Sequence, residues 1–152
     1  MIKYEHTQIG YLMIFFLLAV IMFKICLHLV DPMDSFFNVA SMSAIMVVLF
    51  ILVSFSTLNV IIDEDYVRIK FGYGIFQKKF LLKEITSVKS VKNRWYYGWG
   101  IRTSLYPCMK IYNVSGFDAV EITMKNGKIY RIGTDKPREL ELVISTEIKS
   151  VK

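Results

Sequence analysis

The sequence contains few of the residues on which catalysis and metal binding usually depend. Among its 152 residues there are only two histidines and two cysteines. His6 precedes the first long apolar run and His28 lies inside it, so the rest of the chain cannot supply a Ser-His-Asp or Cys-His arrangement. No cluster of cysteine and histidine has the spacing of a zinc site. We therefore expect no enzyme, no metal and no other cofactor.

Glycine motifs for phosphate binding and cysteine pairs are lacking as well. Gly72-x-Gly74 and Gly98-x-Gly100 have no third glycine, and both indicate turns. Cys26 and Cys108 lie far apart in the sequence and are expected to stay unpaired, which fits a reducing compartment.

The N-terminal part of the chain contains two long apolar runs. Residues 9–30 and 36–58 are both apolar, they are separated by five residues, and the second contains no charged residue. A helix of such length rises about 34 Å, which is enough to cross a hydrocarbon core of about 30 Å. We therefore predict a transmembrane hairpin over residues 9–58, with helices over 9–30 and 36–58, preceded by a cytoplasmic tail of residues 1–8.

The distribution of positive charge predicts the orientation of this hairpin. Its connecting loop holds Asp31 and Asp34 and no base, whereas Lys3 precedes it and many bases follow it. Both termini are predicted to be cytoplasmic, as in a multi-pass protein of the cytoplasmic membrane. The triad at residues 63–65, which is predicted to be an exposed turn, lies nearer to the second helix in sequence than those bases do.

The remaining segment, residues 59–152, is basic. It holds 17 of the 19 Lys and Arg residues and 10 of the 13 Asp and Glu residues, a net charge of +7. A basic domain tethered to a bilayer faces anionic lipid before any other polyanion, so the bilayer is the expected partner and nucleic acid is not.

Apolar residues alternate with polar ones along much of this segment, which predicts strands. The best-defined hairpin surrounds Asn126-Gly127. A three-residue loop with Gly127 in the left-handed conformation sets Glu121 opposite Arg131 and separates apolar from charged side chains, so we predict that register. From Pro137 the apolar period becomes helical, and one face is formed by Leu140, Val143, Ile144, Ile148 and Val151. Thr134 or Asp135 is the expected N-cap. The fold class is α+β.

The segment 92–102 is unusual because both tryptophans of the chain fall among bases and tyrosines there. Indole and phenol rings suit the headgroup layer of a membrane, and bases beside them suit anionic lipid. A groove for a peptide is a second functional interpretation, and packing of Trp95 and Trp99 over an open end of the sheet is the structural one. The candidate contact residues are Arg94, Trp95, Tyr97, Trp99 and Arg102, with Lys78 and Lys79 as weaker electrostatic support.

Lys24 and His28 are the only basic side chains inside the first run, and they lie one helical turn apart. A buried functional pair is one interpretation, since charges inside membranes mark ion or substrate paths. The interpretation we favour is that Lys24 extends its ammonium group to the outer interface near Asp31 or Asp34.

Five stretches of the segment 59–152 occur together in a known arrangement, namely residues 65–72, 85–91, 95–102, 112–121 and 131–137. In these stretches the chain resembles bacterial membrane proteins that carry a pleckstrin-homology-like domain after a two-helix hairpin. The resemblance implies a seven-stranded, strongly bent sheet or partial barrel, capped by the C-terminal amphipathic helix. It also implies a non-enzymatic and often oligomeric protein, and it transfers no binding residues.

These observations together predict a membrane-anchored, non-catalytic interaction or assembly module, with the domain of residues 59–152 at the cytoplasmic surface. A homo-oligomer or another membrane protein is the expected protein partner. One alternative is a module that binds anionic lipid specifically. Another is a small membrane enzyme or transport accessory subunit that uses Lys24 and His28.

Overall fold

The computed structural model describes residues 2–30, 39–105 and 108–151, which form an α+β protein. Within these residues there are three α-helices, α1 (Tyr11–Val30), α2 (Val39–Ser54) and α3 (Pro137–Val151). The same residues form nine strands, β1 (Tyr4–Ile9), β2 (Thr57–Ile62), β3 (Tyr66–Phe71), β4 (Phe76–Leu81), β5 (Ile85–Lys92), β6 (Gly100–Leu105), β7 (Cys108–Asn113), β8 (Asp118–Met124) and β9 (Ile129–Gly133). Single 3-10 turns at Leu82–Glu84 and Trp95–Tyr97 precede β5 and β6.

Most of the tail predicted for residues 1–8 is a strand. β1 pairs antiparallel with β2, from Tyr4 opposite Ile62 to Ile9 opposite Thr57. β2 is largely buried and lies between β1 and β3, so both of its edges find hydrogen-bond partners. The helices α1 and α2 are therefore inserted between two paired strands of one sheet, with the start of α1 and the end of α2 adjoining that sheet.

α1 has 20 residues and is long and apolar enough to cross a membrane, judged by length and composition. The described part of α2 is apolar but has 16 residues and ends at Ser54, short of the predicted end at residue 58. The prediction extended too far because Leu58 is fully buried in β2, and an apolar run does not distinguish a helix end from the start of a buried strand. Residues 31–38, with the predicted loop and the first residues of the second helix, lie outside the described residues. α1 and α2 contact each other.

The strands form two sheets, whereas the resemblance implied a single seven-stranded, strongly bent sheet or partial barrel. The first has the order β1-β2-β3-β4 and is antiparallel throughout, and the second has the order β5-β8-β9-β7-β6 with β7 and β9 parallel. The additional strands β1 and β2 come from the segments that were interpreted as tail and helix end. The predicted hairpin is confirmed, because Glu121 pairs with Arg131 and Gly127 has a φ of +77°.

The hydrophobic core lies between the two sheets and α3. The predicted apolar face of α3 is confirmed for its described side chains, since Leu140, Ile144 and Ile148 are buried and Val143 packs against the core. The hydroxyl of Thr134, one of the two predicted capping residues, accepts a hydrogen bond from the Lys136 N–H just before the helix begins.

The antiparallel path of the strands gives the domain two distinct ends. We call the end where α1 begins and α2 ends the helix-bearing end; its connections are residues 10, 55–56, 72–75, 93–99, 114–117 and 134–136. The far end carries the connections 63–65, 82–84 and 125–128. At the far end Leu82 N–H donates to the Asp65 carbonyl at 2.8 Å, and Lys125 N–H donates to the Glu84 carbonyl at 2.7 Å. The first bond continues the pairing of β3 with β4, and the second continues the pairing of β5 with β8, so both sheets extend to the connection 82–84.

Candidate functional site

The segment 92–102, which we call the aromatic segment, lies at the helix-bearing end. Asn93 N–H donates to the Phe117 carbonyl at 2.6 Å, which joins the segment to the connection 114–117. That connection in turn touches β1, since Gln8 Nε2 donates to the Ser115 carbonyl at 2.9 Å. Gln8 is two residues from Gly10, where the chain enters α1. The aromatic segment and the base of the helices therefore share one end of the domain.

This end exposes a group of large apolar side chains from separate parts of the chain: Tyr11, Tyr73, Ile75, Phe76, Trp95, Tyr96 and Phe117. We call this group the aromatic collar. Its most exposed members are Trp95 at 78% and Tyr73 at 76%. Among the described residues of the far end, the exposed large apolar side chains are Ile2 and Tyr66. The apolar surface of the domain is thus concentrated around the point where the helices leave it.

The connection 72–75 is held tightly against the end of α2. Gly72 has a φ of +44°, and a Cβ placed on it would lie 2.6 Å from the Ser54 carbonyl oxygen. Phe55 continues this contact, since its ring lies 5.5 Å from the Phe71 ring and 5.2 Å from the Phe76 ring. The collar residues Tyr73 and Ile75 are consequently fixed relative to the end of the helix rather than carried on a free loop.

A single glycine determines the path of the aromatic segment. After the 3-10 turn Trp95–Tyr97, Gly98 has a φ of 65° and a ψ of −159°. Only glycine adopts that backbone conformation without strain. The chain reverses there, so Trp95 points into solvent while Tyr97 and Trp99 are half-buried. The packing interpretation is therefore wrong for Trp95, whereas Tyr97 and Trp99 are partly covered.

A buried ion pair holds the segment on the outer face of the second sheet. Glu121 is 7% exposed and accepts a hydrogen bond from Arg131 Nε at 2.8 Å. Arg131 also donates to Asn93 Oδ1 at 3.3 Å, and its guanidinium lies 5.7 Å from the centre of the Tyr97 ring. The predicted cross-strand ion pair is thus confirmed, and it supports the aromatic segment through Arg131.

The charge state of Glu121 follows from these contacts. Burial acts to raise the pKa of the Glu121 carboxyl, but hydrogen bonds from Lys89 and Arg131 outweigh burial and lower that pKa below its ordinary value. The carboxylate is therefore charged at neutral pH and fixes the position of Arg131.

The two predicted arginines of the segment have no acidic partner among the described residues. Arg94 Nη1 donates to Tyr96 Oη at 2.7 Å, a bond that raises the pKa of the Arg94 guanidinium. Arg102 Nε donates to the Trp99 carbonyl at 3.4 Å. Both side chains are exposed. The two guanidinium groups can therefore pair with the anionic group of a ligand or of another molecule.

Lys78 and Lys79, adjacent in sequence, lie at different places. Lys78 lines a cavity of about 200 Å³ with Phe76 and Ile101 at the helix-bearing end. Lys79 lines a cavity of about 480 Å³ at the far end with the acidic residues 63–65. Only Lys78 therefore belongs with the aromatic segment.

A further cavity of about 380 Å³ separates the aromatic segment from the edge of the second sheet. It is lined by residues 96–98 of the segment, by residues 102–104 of β6 and by Ile111 of β7. It combines tyrosine rings, hydroxyl groups and one guanidinium, a mixture suited to a small polar ligand.

Several collar residues were not predicted. Tyr73, Ile75, Phe76 and Phe117 join the site only because the turns that carry them meet at one end. The sequence signal was an aromatic residue inside the predicted turn Gly72-Tyr73-Gly74, where a polar residue is the usual choice.

The structure gives limited support to the other functional residues considered from the sequence. Arg68 forms an ion pair with Asp63, and the predicted turn at residues 63–65 does separate β2 from β3. Among the described residues, no three His, Cys, Asp or Glu side chains form a group suited to a metal ion. Lys24 and His28 lie one turn apart in α1, and the hypothesis that rests on them stays a prediction.

The sequence matches no protein-family model, and no curated protein is significantly similar to it. The site is therefore interpreted from its own geometry.

Proposed function

We propose that this chain is a two-pass protein of the bacterial cytoplasmic membrane, with both termini in the cytoplasm. In this proposal its pleckstrin-homology-like domain lies with the helix-bearing end against the cytoplasmic leaflet. The domain acts there as a non-catalytic interaction or assembly module for a second copy or another membrane protein. One observation carries the proposal. Exposed aromatic side chains, and bases that have no acidic partner among the described residues, surround the point where the apolar helices leave the domain.

The chemistry of the aromatic collar supports this orientation. Tryptophan and tyrosine are enriched in the headgroup layer, where the ring is apolar and its N–H or O–H remains hydrated. A base near an anionic leaflet contributes about 1 kcal/mol. Because α1 already tethers the domain, these contacts need only orient it and do not have to supply its whole membrane affinity.

The far end complements this arrangement. Its connections carry Asp63, Glu64, Asp65 and Glu84, whose carboxylates are repelled by an anionic surface. With the collar on the leaflet, the far end and the exposed side of α3 face the cytoplasm and remain available to a protein partner.

Tryptophan fluorescence tests the proposal directly, because both tryptophans lie in the aromatic segment. The full chain is reconstituted into vesicles that contain brominated phosphatidylcholine, and Trp99→Phe isolates the emission of Trp95. We expect blue-shifted emission and strong quenching, since the indole lies at the level of the headgroups and upper acyl chains. Trp95→Ala should change the free energy of unfolding by less than about 0.5 kcal/mol, because this side chain is exposed.

A matched control places the only tryptophan at the far end. In a chain with Trp95→Phe and Trp99→Phe, the change Tyr66→Trp is expected to give red-shifted, unquenched emission. If Trp95 were no more quenched than this far-end tryptophan, the collar would lie in water. The membrane orientation would then be wrong, and the collar would be a surface for a protein.

A further inference from the structure

The cavity beside β6 lies at the end of a row of side chains that crosses the second sheet. Strand register aligns Lys89, Glu121, Arg131, Ile111 and Arg102 in that order on one face. Glu121 forms ion pairs with both of the first two bases of the row, with Lys89 Nζ at 3.0 Å and Arg131 Nε at 2.8 Å. Arg102, beyond Ile111, receives no acid from the described residues. The row therefore ends in an uncompensated guanidinium at the rim of the cavity.

The donors of Arg102 are largely unused within the described chain. A guanidinium offers five N–H donors in a planar fork. One of them, on Nε, makes a long bond of 3.4 Å to the Trp99 carbonyl, which orients the group beneath the segment. A fork of this kind matches the paired oxygens of a phosphate group.

Gly98 lies beside this guanidinium. A Cβ on Gly98 would make van der Waals contact with Arg102 Nε at 3.9 Å, and the backbone conformation of Gly98 strains any other residue. Tyr96 and Tyr97 form the wall on the same side, and Thr103 supplies a hydroxyl group on the other. The volume of about 380 Å³ lies within the range of sites for small ligands.

We propose that this cavity binds the phosphodiester headgroup of an anionic phospholipid, with Arg102 on the phosphate and the tyrosine rings against the glycerol. The proposal rests on the proposed function, because the bilayer supplies the ligand and the exposed Tyr96 of the aromatic collar lines the cavity. A zwitterionic headgroup is disfavoured, since its ammonium group would lie beside Arg94 and Arg102.

The experiment uses the full chain in nanodiscs of phosphatidylcholine, with Trp95→Phe so that Trp99 reports on the cavity. Soluble glycerophosphoglycerol is titrated, with glycerophosphocholine and inorganic phosphate in parallel. We expect saturable binding of glycerophosphoglycerol and at least tenfold weaker binding of the other two. Arg102→Gln should weaken binding by roughly tenfold or more, since it removes a charge-assisted hydrogen bond. Lys110→Gln, which removes an exposed base from the neighbouring strand, should change it less than twofold.

A second arm identifies the source of the ligand. Nanodiscs with one fifth phosphatidylglycerol should compete with the soluble headgroup and raise its apparent dissociation constant. Absence of competition would overturn the lipid assignment, as would inorganic phosphate that binds equally well or an Arg102→Gln effect no larger than that of Lys110→Gln. The quenching of Trp95 by brominated lipid is measured separately. The membrane orientation can therefore fail while the headgroup site is retained, or the reverse.

Discussion

The two ends of the domain are made by the same strands but have opposite surfaces. The connections 72–75, 93–99, 114–117 and 134–136 of the helix-bearing end contain two bases and one acid, and they carry most of the exposed aromatic side chains of the domain of residues 59–152. The connections 63–65, 82–84 and 125–128 of the far end contain four acids and three bases. Apart from Leu82 and Val114, which are buried in the core, both sets lie outside it, so core packing does not explain the difference in charge. The composition of the first set suits an interface, and that of the second suits water.

The largest expected effect concerns the junction between the helix-bearing end and α2. Gly72→Ala would place a Cβ 2.6 Å from the Ser54 carbonyl oxygen at a φ of +44°. Because the neighbour is backbone and cannot rotate away, we expect a loss of roughly 3 kcal/mol or more in the free energy of unfolding. Chemical denaturation of the full chain in detergent micelles, followed by circular dichroism, measures this loss.

The far end supplies the control for this substitution. Gly127 also has a positive φ, of +77°, but its Cβ would meet nothing within 4 Å. Gly127→Ala should cost about 1 kcal/mol, from backbone strain alone. Equal losses for the two variants would contradict the close packing of the turn 72–75 against α2.

The next effect concerns the ion pair that holds the aromatic segment. Glu121→Gln should lower the free energy of unfolding by about 3 kcal/mol at pH 7, because it leaves Arg131 partly buried without its counter-charge. The pKa of Glu121 is lowered by its bonds to Lys89 and Arg131, against the effect of burial. The stability that the carboxylate contributes is therefore fully present above its ordinary pKa of about 4.3 and is lost as the pH falls through the lowered value. The difference between the two proteins should shrink below about pH 4.

The matched control for Glu121→Gln is Lys89→Gln. The Lys89 side chain is 62% exposed, so its loss should cost less than about 1 kcal/mol. Hydrogen exchange gives a second measurement: the amides of residues 93–99 should exchange faster in Glu121→Gln, while those of the turn 125–128 should not. Equal exchange at both ends would mean that Arg131 does not support the aromatic segment.

Patterns between neighbours in sequence predicted the local parts of the fold correctly. The pairing of Glu121 with Arg131 follows from the turn at Gly127, and the buried face of α3 follows from its helical period. Such features depend on a few adjacent residues, whose turn chemistry and apolar spacing determine them.

Contacts between distant segments were not predictable in the same way. Residues 4–9 form a strand only because β2 follows more than forty residues later, and their own pattern is weak. The triad 63–65 is close to α2 in sequence, yet β2 carries it about 20 Å away, at about 3.3 Å per residue, to the far end. The same holds for the candidate site. The unusual composition of residues 92–102 can be seen in the sequence. The contribution of Tyr73 and Phe117 cannot, because it depends on which turns lie at the same end of the domain.

The smallest expected effect separates two adjacent lysines. Lys78→Gln and Lys79→Gln remove the same charge, but Lys78 lies beside Phe76 at the helix-bearing end and Lys79 lies beside residues 63–65 at the far end. If the domain lies on the leaflet as proposed, only Lys78 is expected to contribute to the contact in vesicles with phosphatidylglycerol, by about 1 kcal/mol, or roughly fivefold in the contact equilibrium.

The measurement for this pair is the salt dependence of Trp95 quenching by brominated lipid. Screening weakens the contact, so Lys78→Gln should lower the salt concentration at which quenching falls by half, and Lys79→Gln should leave it unchanged. A common shift in both variants would mean that net charge alone governs the contact. The distinction between the two ends would then rest on the aromatic collar, because the bases would act through the total charge of the domain and not through their positions.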